Sequence, residues 1–423
     1  MLYGKGSQTN TLDDDAVREV LSSALNTLAP DKQRILVIIP DGTRTAPIPL
    51  MFRLLYELLG QRVERLDYLI ALGTHQPMSD EAIAHLVGAS VEERQHAYPK
   101  VHIYNHHWED PAALHTIGTI SVAEAQRLTD GLLSDEVPVT LNRMIFDYDQ
   151  LIICGPVFPH EVAGFSGGAK YLFPGIAGAD IINFSHWLGA RKTSMATIGV
   201  QDTHVRRVIH RAAQFVEQPL LCIALVVQGT ALHGVYAGDV VEAFEQASAL
   251  SGQLNIVHFA RPVQRVLSVA SEKYDDLWTA AKAMYKTEPV IADGGEVIIY
   301  APHITEVSYT HGELIDHVGY HVRDYFLKQW SRFKDVPGSI LAHSTHVKGS
   351  GTYDSESGRE EPRIQVTLAT GIPEERCRRI NLGYVDYHTL HLADWKDREQ
   401  EGILFVPNAG EVLYRLATSD PNT

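Results

Sequence analysis

The chain has 423 residues, of which 45% are hydrophobic and 21% charged, and its formal net charge is -16. This length allows two or three domains with ample cores, and the negative charge argues against nucleic acid as a partner. Three scattered cysteines, Cys154, Cys222 and Cys377, are too few for a disulfide framework or a four-cysteine zinc site. No apolar run is long enough to span a membrane, and the polar N-terminus does not resemble a targeting signal. We therefore expect a cytoplasmic protein.

The predicted elements alternate between helices and strands. Apolar residues recur at helical spacing from 17 to 28, after the acidic residues 13–15. Residues 35–39 then form a β-branched run that is typical of strands buried on both faces. Further strands are predicted at 66–72, 151–154, 220–227, 266–269, 296–300, 340–342 and 403–406, with amphipathic helices between many of them, such as 49–59 and 204–216. This order predicts mostly parallel sheets with helices on both faces.

Two α/β domains are predicted rather than one. Residues 274–286 read as a helix before the turn at Asp293-Gly294-Gly295, after which a second series of strands begins. We place an N-terminal cofactor-binding and catalytic domain at 1–264, a hinge helix region at 265–285 and a C-terminal domain at 286–423. This prediction includes the option that the last helix of the second domain packs against the first domain. Residues 348–362 are predicted to be a loop.

Polar residues follow several strands of the first domain, where ligand sites in open α/β sheets commonly lie. The turn Asp41-Gly42-Thr43-Arg44 offers groups that suit a ribose and a phosphate or carboxylate. His75 follows the next strand, His160 follows the strand at 151–154, and His186 begins a predicted helical turn. Each histidine alone is more often a structural residue, but together they would meet at one edge of one sheet.

The stretch from 155 to 189 is the most informative part of the chain. It places His160, Lys170 and His186 around the glycines 164, 167 and 168. These side chains can supply a proton-transfer group, a nucleophilic amine and a metal ligand, while glycine lets the backbone approach a bulky ligand closely. The combination suggests a nucleotide-like cofactor held by a lysine and a metal.

These motifs resemble those of the nickel-dependent lactate racemase family, whose members use a nickel-pincer nucleotide. The resemblance rests on 41–44, 73–75, 159–170, His186 and Lys282 and runs nearly end to end. It implies two α/β domains with the active site in the cleft between them. It also implies that Lys170 holds the cofactor covalently through a thioamide and that His186 binds nickel. His75 and His160 would be the paired acid and base.

The resemblance also implies a reaction and further contacts. One histidine would remove the hydroxyl proton of a 2-hydroxy acid while a hydride leaves C2, which gives a planar 2-oxo acid that can regain the hydride on its other face. Arg44 and Lys282 would lie near substrate and cofactor. The residues expected to contact the cofactor are Asp41, Thr43, Arg44, Gly167 and Gly168. Proteins that synthesise the cofactor would be transient partners.

The chain departs from the family just before the helix lysine. Lactate racemases carry a tyrosine-glutamine pair there, whereas this chain has Trp278-Thr279. The change in volume and in hydrogen-bond donors predicts a 2-hydroxy acid other than lactate, which is racemised or epimerised at C2. Trp278 and Thr279 would contact its side chain, with His343 and His346 as further candidates because they follow a predicted strand.

Other interpretations stay open. Lys170 could pair with a surface carboxylate, His186 could be a core histidine, and Lys282 could be a solvated helix lysine. A nucleotide hydrolase is a weak alternative, since the segment 164–170 lacks the Gly-Lys adjacency and the following hydroxyl of a phosphate-binding loop.

Two further alternatives are a zinc hydrolase built from His75, His160 and His186, and a non-catalytic carrier of the cofactor. His106 and His107 form a tempting metal pair, but adjacent residues of a strand face opposite ways. We interpret both as surface residues.

Overall fold

The structure is a computed structural model that describes residues 1–417. Residues 418–423 lie outside the described residues. The chain forms two compact units. The first comprises Met1–Phe158, Phe165–Ser185 and Arg206–Leu254, and the second comprises Pro159–Gly164, His186–Val205 and the chain from Asn255 onward. Within residues 1–417 no helix is both long and apolar enough to cross a bilayer.

The first part of the chain alternates between strands and helices. Its elements are β1 (Tyr3–Gly6), α1 (Asp14–Leu25), β2 (Arg34–Ile39), α2 (Ile48–Leu59), β3 (Arg65–Ile70), α3 (Asp80–Val87), α4 (Val91–Ala97), β4 (Ile103–Asn105), β5 (Leu114–Ile120), α5 (Val122–Leu128), β6 (Val137–Asn142) and β7 (Gln150–Pro156). There follow β8 (Pro159–His160), β9 (Gly164–Phe165), α6 (Ala179–Lys192), α7 (Ser194–Thr197), α8 (His204–Ala213), β10 (Leu220–Gln228), β11 (Ala231–Gly238) and α9 (Val240–Asn255).

A seven-stranded sheet in the order β1-β11-β10-β7-β2-β3-β4 forms the centre of the first unit. The strands from β10 to β4 are parallel, and β1 and β11 close one edge in antiparallel pairs. β2 is buried on both faces: alternate residues of its run of Ile, Leu and Val pack in one core with α1 and α2, and the residues between them are also fully buried. In α1, Asp13 caps the N-terminus by accepting from Ala16 N, and the apolar face from Val17 to Leu25 packs into this core.

The second unit contains a five-stranded parallel sheet in the order β18-β17-β14-β13-β19. A separate parallel pair joins β12 and β20. The elements from residue 256 are β12 (Ile256–Phe259), β13 (Val263–Ala270), α10 (Leu277–Ala280), α11 (Lys282–Tyr285), β14 (Ile291–Ala301), α12 (Gly312–Val318), α13 (Arg323–Lys328), α14 (Trp330–Phe333), α15 (Gly338–Lys348), β15 (Gly351–Asp354), β16 (Arg359–Pro362), β17 (Gln365–Thr370), α16 (Glu374–Arg379), β18 (Gly383–Tyr384), β19 (Ile403–Ala409) and β20 (Leu413–Leu416).

The α/β class with mostly parallel sheets is confirmed, but four local predictions were wrong. Residues 340–342 are not a strand but lie in α15, because a short apolar run does not distinguish a buried strand from a buried helix. The helix expected at 274–286 is two short helices, α10 and α11. The loop expected at 348–362 contains the hairpin β15–β16.

The fourth wrong prediction concerns His106, which is buried and not at the surface. Its side chain is 1% exposed, Nε2 lies 3.0 Å from the Ala177 carbonyl oxygen, and Asn142 Nδ2 lies 3.1 Å from Nδ1. This pairing fits a neutral ring that donates from Nε2 and accepts at Nδ1. Burial lowers the pKa of His106 to about 4, so the ring stays neutral near pH 7.

Candidate active site

Asp41 and His75 contact each other at the ends of neighbouring strands. β2 and β3 pair in parallel with Ile39 opposite Ile70, so the turns that follow them leave the sheet side by side. His75 Nδ1 lies 2.5 Å from Asp41 Oδ2, and 27% of the His75 side chain is exposed. The carboxylate therefore orients the ring through Nδ1, which leaves Nε2 as the nitrogen for proton transfer.

The other oxygen of Asp41 is bound by Thr43. The Thr43 backbone N–H and hydroxyl donate to Asp41 Oδ1 at 3.0 and 2.7 Å. Burial disfavours the charged form of Asp41 and by itself would raise its pKa. The charge and hydrogen bond of His75, the hydrogen bond from Thr43 and the charge of Arg44 have a larger, opposite effect and hold the pKa of Asp41 well below its usual range. Asp41 was expected to contact the cofactor. In the structure, its two oxygens bind Thr43 and His75.

Lys170 lies on a short 3-10 turn, Gly168–Tyr171, whose other members are buried. Gly167 and Gly168 precede it with φ of 88° and 59°, a region that favours glycine. A Cβ on Gly167 would lie 2.5 Å from Val157 Cγ2. The glycines are therefore required by the turn and its packing, and Lys170 is the residue of this turn that is partly exposed.

Two contacts fix this turn. The buried Arg206 donates to the carbonyl oxygens of Gly167, at 3.1 Å, and Phe165, and its guanidinium lies 3.9 Å from the Phe244 ring centroid. Gly73 N donates to Gly175 O at 2.9 Å, which joins the turn before His75 to the segment after Lys170. Burial lowers the pKa of Arg206 to about 9. The sequence placed Arg206 in an amphipathic helix but gave no signal that it is buried.

His160 belongs to the second unit and is also held through Nδ1. Nδ1 accepts hydrogen bonds from Val162 N at 3.1 Å and Ala163 N at 3.4 Å, so the neutral ring carries its hydrogen on Nε2. Glu161 Oε2 lies 3.4 Å from the same nitrogen. The buried Lys286 donates to the carbonyl oxygen of Pro159, which fastens the residue before His160.

The candidate substrate residues form a cluster in the second unit. The rings of Trp278 and His343 stack with centroids 4.0 Å apart and planes 11° apart, and His343 Nε2 lies 3.1 Å from the Trp278 carbonyl oxygen. Lys282 Nζ donates to Thr279 O at 3.1 Å and lies 4.5 Å from the Tyr274 ring centroid. Lys282 is 5% exposed, so it is not the solvated lysine of the alternative interpretation.

Thr279 and the two histidines of α15 differ in what they can offer a ligand. The Thr279 hydroxyl donates to Asp276 Oδ1 at 2.9 Å as part of the α10 N-cap. Burial lowers the pKa of His343 to about 3 and that of His346 to about 4, so both are neutral near pH 7. Within residues 1–417, His343 Nδ1 and His346 Nε2 are buried without a hydrogen-bond partner.

His186 lies in α6, where it is partly exposed. Among the described residues no group of three or more His, Cys, Asp or Glu side chains is placed to hold a metal ion. The zinc site considered for His75, His160 and His186 needs three such ligands.

Comparison with known proteins identifies relatives. Residues 6–199 match the lactate racemase N-terminal domain. A curated lactate racemase from Thermoanaerobacterium thermosaccharolyticum is 24% identical over 305 residues, which cover 70% of this chain and 67% of that protein. A second, from Lactiplantibacillus plantarum, is 22% identical over 307 residues, which cover 71% and 67%.

Two solved structures share the fold. A crystal structure of a protein from Thermotoga maritima aligns with a TM-score of 0.89 and 32% identity, covering 97% of this chain and 100% of that one. The lactate racemase apoprotein from Thermoanaerobacterium thermosaccharolyticum aligns with a TM-score of 0.72 and 20% identity, covering 98% and 94%.

Proposed function

We propose that the chain belongs to the lactate racemase family, because residues 6–199 match the N-terminal domain of lactate racemase and two curated lactate racemases are 24% and 22% identical over 70% and 71% of the chain. We propose that it is an isomerase that inverts C2 of a 2-hydroxy acid by proton-coupled hydride transfer with a nickel-pincer nucleotide. We further propose that its preferred substrate is not lactate. The observation that carries the proposal is the Asp41–His75 pair. This pair lies at the carboxyl ends of β2 and β3, where the hydrogen bond from Gly73 N to Gly175 O joins the turn before His75 to the segment after Lys170. We also propose that the protein works in the cytoplasm and receives the cofactor from the proteins that synthesise it.

The residues present suit this cofactor. Lys170 is a partly exposed amine on a turn that is otherwise buried, and it would hold the cofactor through a thioamide. His186 would supply one imidazole to nickel, which fits a metal whose other ligands belong to an organic group. When bound, the cofactor would supply an acceptor for the hydride of C2.

The two histidines would move the hydroxyl proton. His75 Nε2 would take the proton from one enantiomer, and the ionised Asp41 would stabilise the resulting imidazolium through Nδ1. His160 would be the paired acid: its Nδ1 accepts from two backbone N–H groups, so in this tautomer Nε2 carries a hydrogen that it can donate to the substrate oxygen. Arg44 would bind the substrate carboxylate.

The substrate proposal rests on the Trp278 cluster. The indole is held by its stack on His343, so its partly exposed ring would limit the shape of the substrate side chain. We retain Lys282, His343 and His346 as candidate substrate contacts. Since the Thr279 hydroxyl is already bound to Asp276, Thr279 would contribute through its position before Lys282.

Intact mass spectrometry tests the cofactor proposal. Protein expressed in a host that makes the cofactor should carry a mass increment that is lost in Lys170→Ala. Lys192→Ala is a suitable control because Lys192 is exposed nearby in the sequence, and this variant should keep the increment. An increment that survives Lys170→Ala would contradict the attachment point.

Chiral chromatography tests the reaction. Enantiopure 2-hydroxy acids of different side chains should be inverted by the loaded protein, with one or more larger acids turned over faster than lactate. Lactate as the fastest substrate would contradict the substrate proposal but not the racemase activity. Cofactor bound without inversion of any 2-hydroxy acid would favour a carrier.

A further inference from the structure

The turn that carries His160 is held at both ends by side chains from elsewhere in the second unit. The buried Lys286 donates to Pro159 O, before the histidine, and Thr203 Oγ1 donates to Ala163 O at 3.3 Å, after it. Both donors come from parts of the chain that are distant in sequence. The ends of the turn are therefore fixed by the tertiary fold, and the direction of the ring depends on what lies between them.

Val162 lies in the middle of this turn and orients the His160 ring. Its N–H donates to His160 Nδ1 at 3.1 Å, which is the shorter of the two backbone hydrogen bonds to that nitrogen. Val162 is buried, so the atoms around it belong to the protein. A shift of the Val162 backbone therefore changes the direction in which Nε2 of His160 points.

Helix α6 packs against Val162 at Gly189. A Cβ on Gly189 would lie 3.0 Å from Val162 Cγ1 and 3.1 Å from both Val162 Cα and Val162 O, whereas ordinary contacts of a Cβ lie at 3.4–4 Å. Two of these three atoms belong to the backbone, which cannot rotate aside as the end of a side chain can. Glycine is unfavourable inside a helix. Its presence at this position is explained by the close approach of the helix to the turn.

Gly189 lies on the face of α6 that carries His186. The two residues are three positions apart in the helix, which makes them neighbours on its surface. One face of α6 therefore presents the predicted metal ligand and also contacts Val162, the residue that orients the predicted acid.

Two contacts hold the last turns of α6 in place. The Trp187 ring stacks on the ring of Trp330 in α14, with centroids 5.6 Å apart and planes 6° apart. Arg323 of α13 donates from Nη1 to Arg191 O at 3.0 Å, near the C-terminus of the helix. Because these contacts resist a retreat of the helix, a side chain at position 189 would act on the Val162 backbone.

We propose that Gly189 is a positioning residue for the reaction. Because it has no side chain, α6 lies directly against the Val162 backbone, and this contact sets the position of the His160 ring relative to the helix that carries His186. A larger residue would move Nε2 of His160 away from the substrate oxygen. The inference rests on the proposed function and adds Gly189 to the residues on which the reaction depends.

Gly189→Ala tests this position with one methyl group. The variant should keep the Lys170 mass increment, because Lys170 belongs to the first unit. Its kcat per loaded protein should fall about 3- to 10-fold with a smaller change in KM, since a misplacement of about 1 Å can cost roughly 100-fold and the methyl requires a few tenths of an ångström. A kcat equal to that of the parent protein would overturn the inference.

Gly312→Ala is the matched control, because Gly312 begins α12 of the same unit. A Cβ there would meet the flexible ends of the Glu306 and Arg376 side chains, at 3.3 and 3.4 Å, and kcat should stay unchanged. Denaturant unfolding adds a second measurement on Gly189→Ala. A midpoint above that of the parent protein would overturn the inference, since the methyl would then fit and alanine would only improve the helix.

Nitrogen NMR of the histidine rings separates a failure of this inference from a failure of the proposed function, because it needs no turnover. The full chain without cofactor is isotopically labelled in its histidine nitrogens, and the His160 signals are assigned by their loss in His160→Gln. In Gly189→Ala the Nδ1 signal should shift as the hydrogen bond from Val162 N changes, and in Gly312→Ala it should not. If the loaded parent protein inverts no acid, the shift would still support the positioning contact while the proposed function fails. Unchanged His160 signals in Gly189→Ala would overturn the inference whatever the activity.

Discussion

Asp41→Asn tests whether the carboxylate makes His75 a base. The substitution keeps the size of the side chain and an oxygen that can accept from Thr43, but it removes the negative charge 2.5 Å from His75 Nδ1. The new amide would donate to Nδ1 and place the ring hydrogen on Nε2, so that Nε2 could not accept the substrate proton. A hydrogen bond to a charged group contributes about 1.5–3 kcal/mol. This range corresponds to a fall in kcat of about 10- to 150-fold.

The assay is chiral chromatography of the preferred acid, started from each enantiomer or epimer, with kcat and KM determined separately. We expect kcat to fall more than KM changes, because Asp41 acts through His75 and not on the substrate. Thr43→Val is the control: the carboxylate and the backbone N–H bond remain, and the fall in kcat should stay below about 10-fold. The role of the carboxylate would be refuted if Asp41→Asn keeps the Lys170 mass increment and has a kcat within about 3-fold of that of the parent protein. A 3-fold change in kcat corresponds to less than about 1 kcal/mol.

Three further predictions concern stability and positioning. Arg206→Lys should lower the free energy of unfolding by about 1–3 kcal/mol in denaturant titrations, because one ammonium cannot replace the fork that holds two carbonyls, whereas Arg207→Lys at an exposed neighbour should change little. His106→Gln should flatten the dependence of stability on pH. The folded-state pKa of His106 lies at about 4, below its unfolded value, so its contribution is present above pH 6.5 and is lost as pH falls towards 4. A slope equal to that of the parent protein between pH 4 and 6.5 would contradict this. Lys286→Met should lower kcat about 10-fold by releasing the carbonyl before His160, and a normal kcat would show that Lys286 does not position this residue.

The sequence predicted the first sheet well because its strands are continuous apolar runs. Parallel pairing of β2 and β3 brings their carboxyl ends together, which is why polar residues after each strand could be expected to lie close. The contact of Asp41 with His75 was not predictable, because strand pairing fixes which turns are neighbours but not which side chains pair across them.

Burial was the main property that sequence patterns did not reveal. His106 and Arg206 belong to residue types that are mostly exposed or only intermediate in burial, and each is buried because carbonyl oxygens of distant segments meet its nitrogens. The helix α15 was mistaken for a strand for a related reason. Every residue from Ser339 to Val347 is buried, so α15 has no exposed polar face over this stretch. The alternation of apolar and polar residues every three to four positions, which usually identifies a helix, is therefore missing.

The division of the chain into interleaved segments has a consequence for engineering and for inheritance. Because Pro159–Gly164 and His186–Val205 group with the second unit while the chain on either side of them groups with the first, no single cut releases either unit intact. A gene fragment that ends at residue 254 would carry two stretches whose packing partners it does not encode. The two units are therefore expected to be exchanged between relatives only together, and chimeras joined at one crossover point should aggregate.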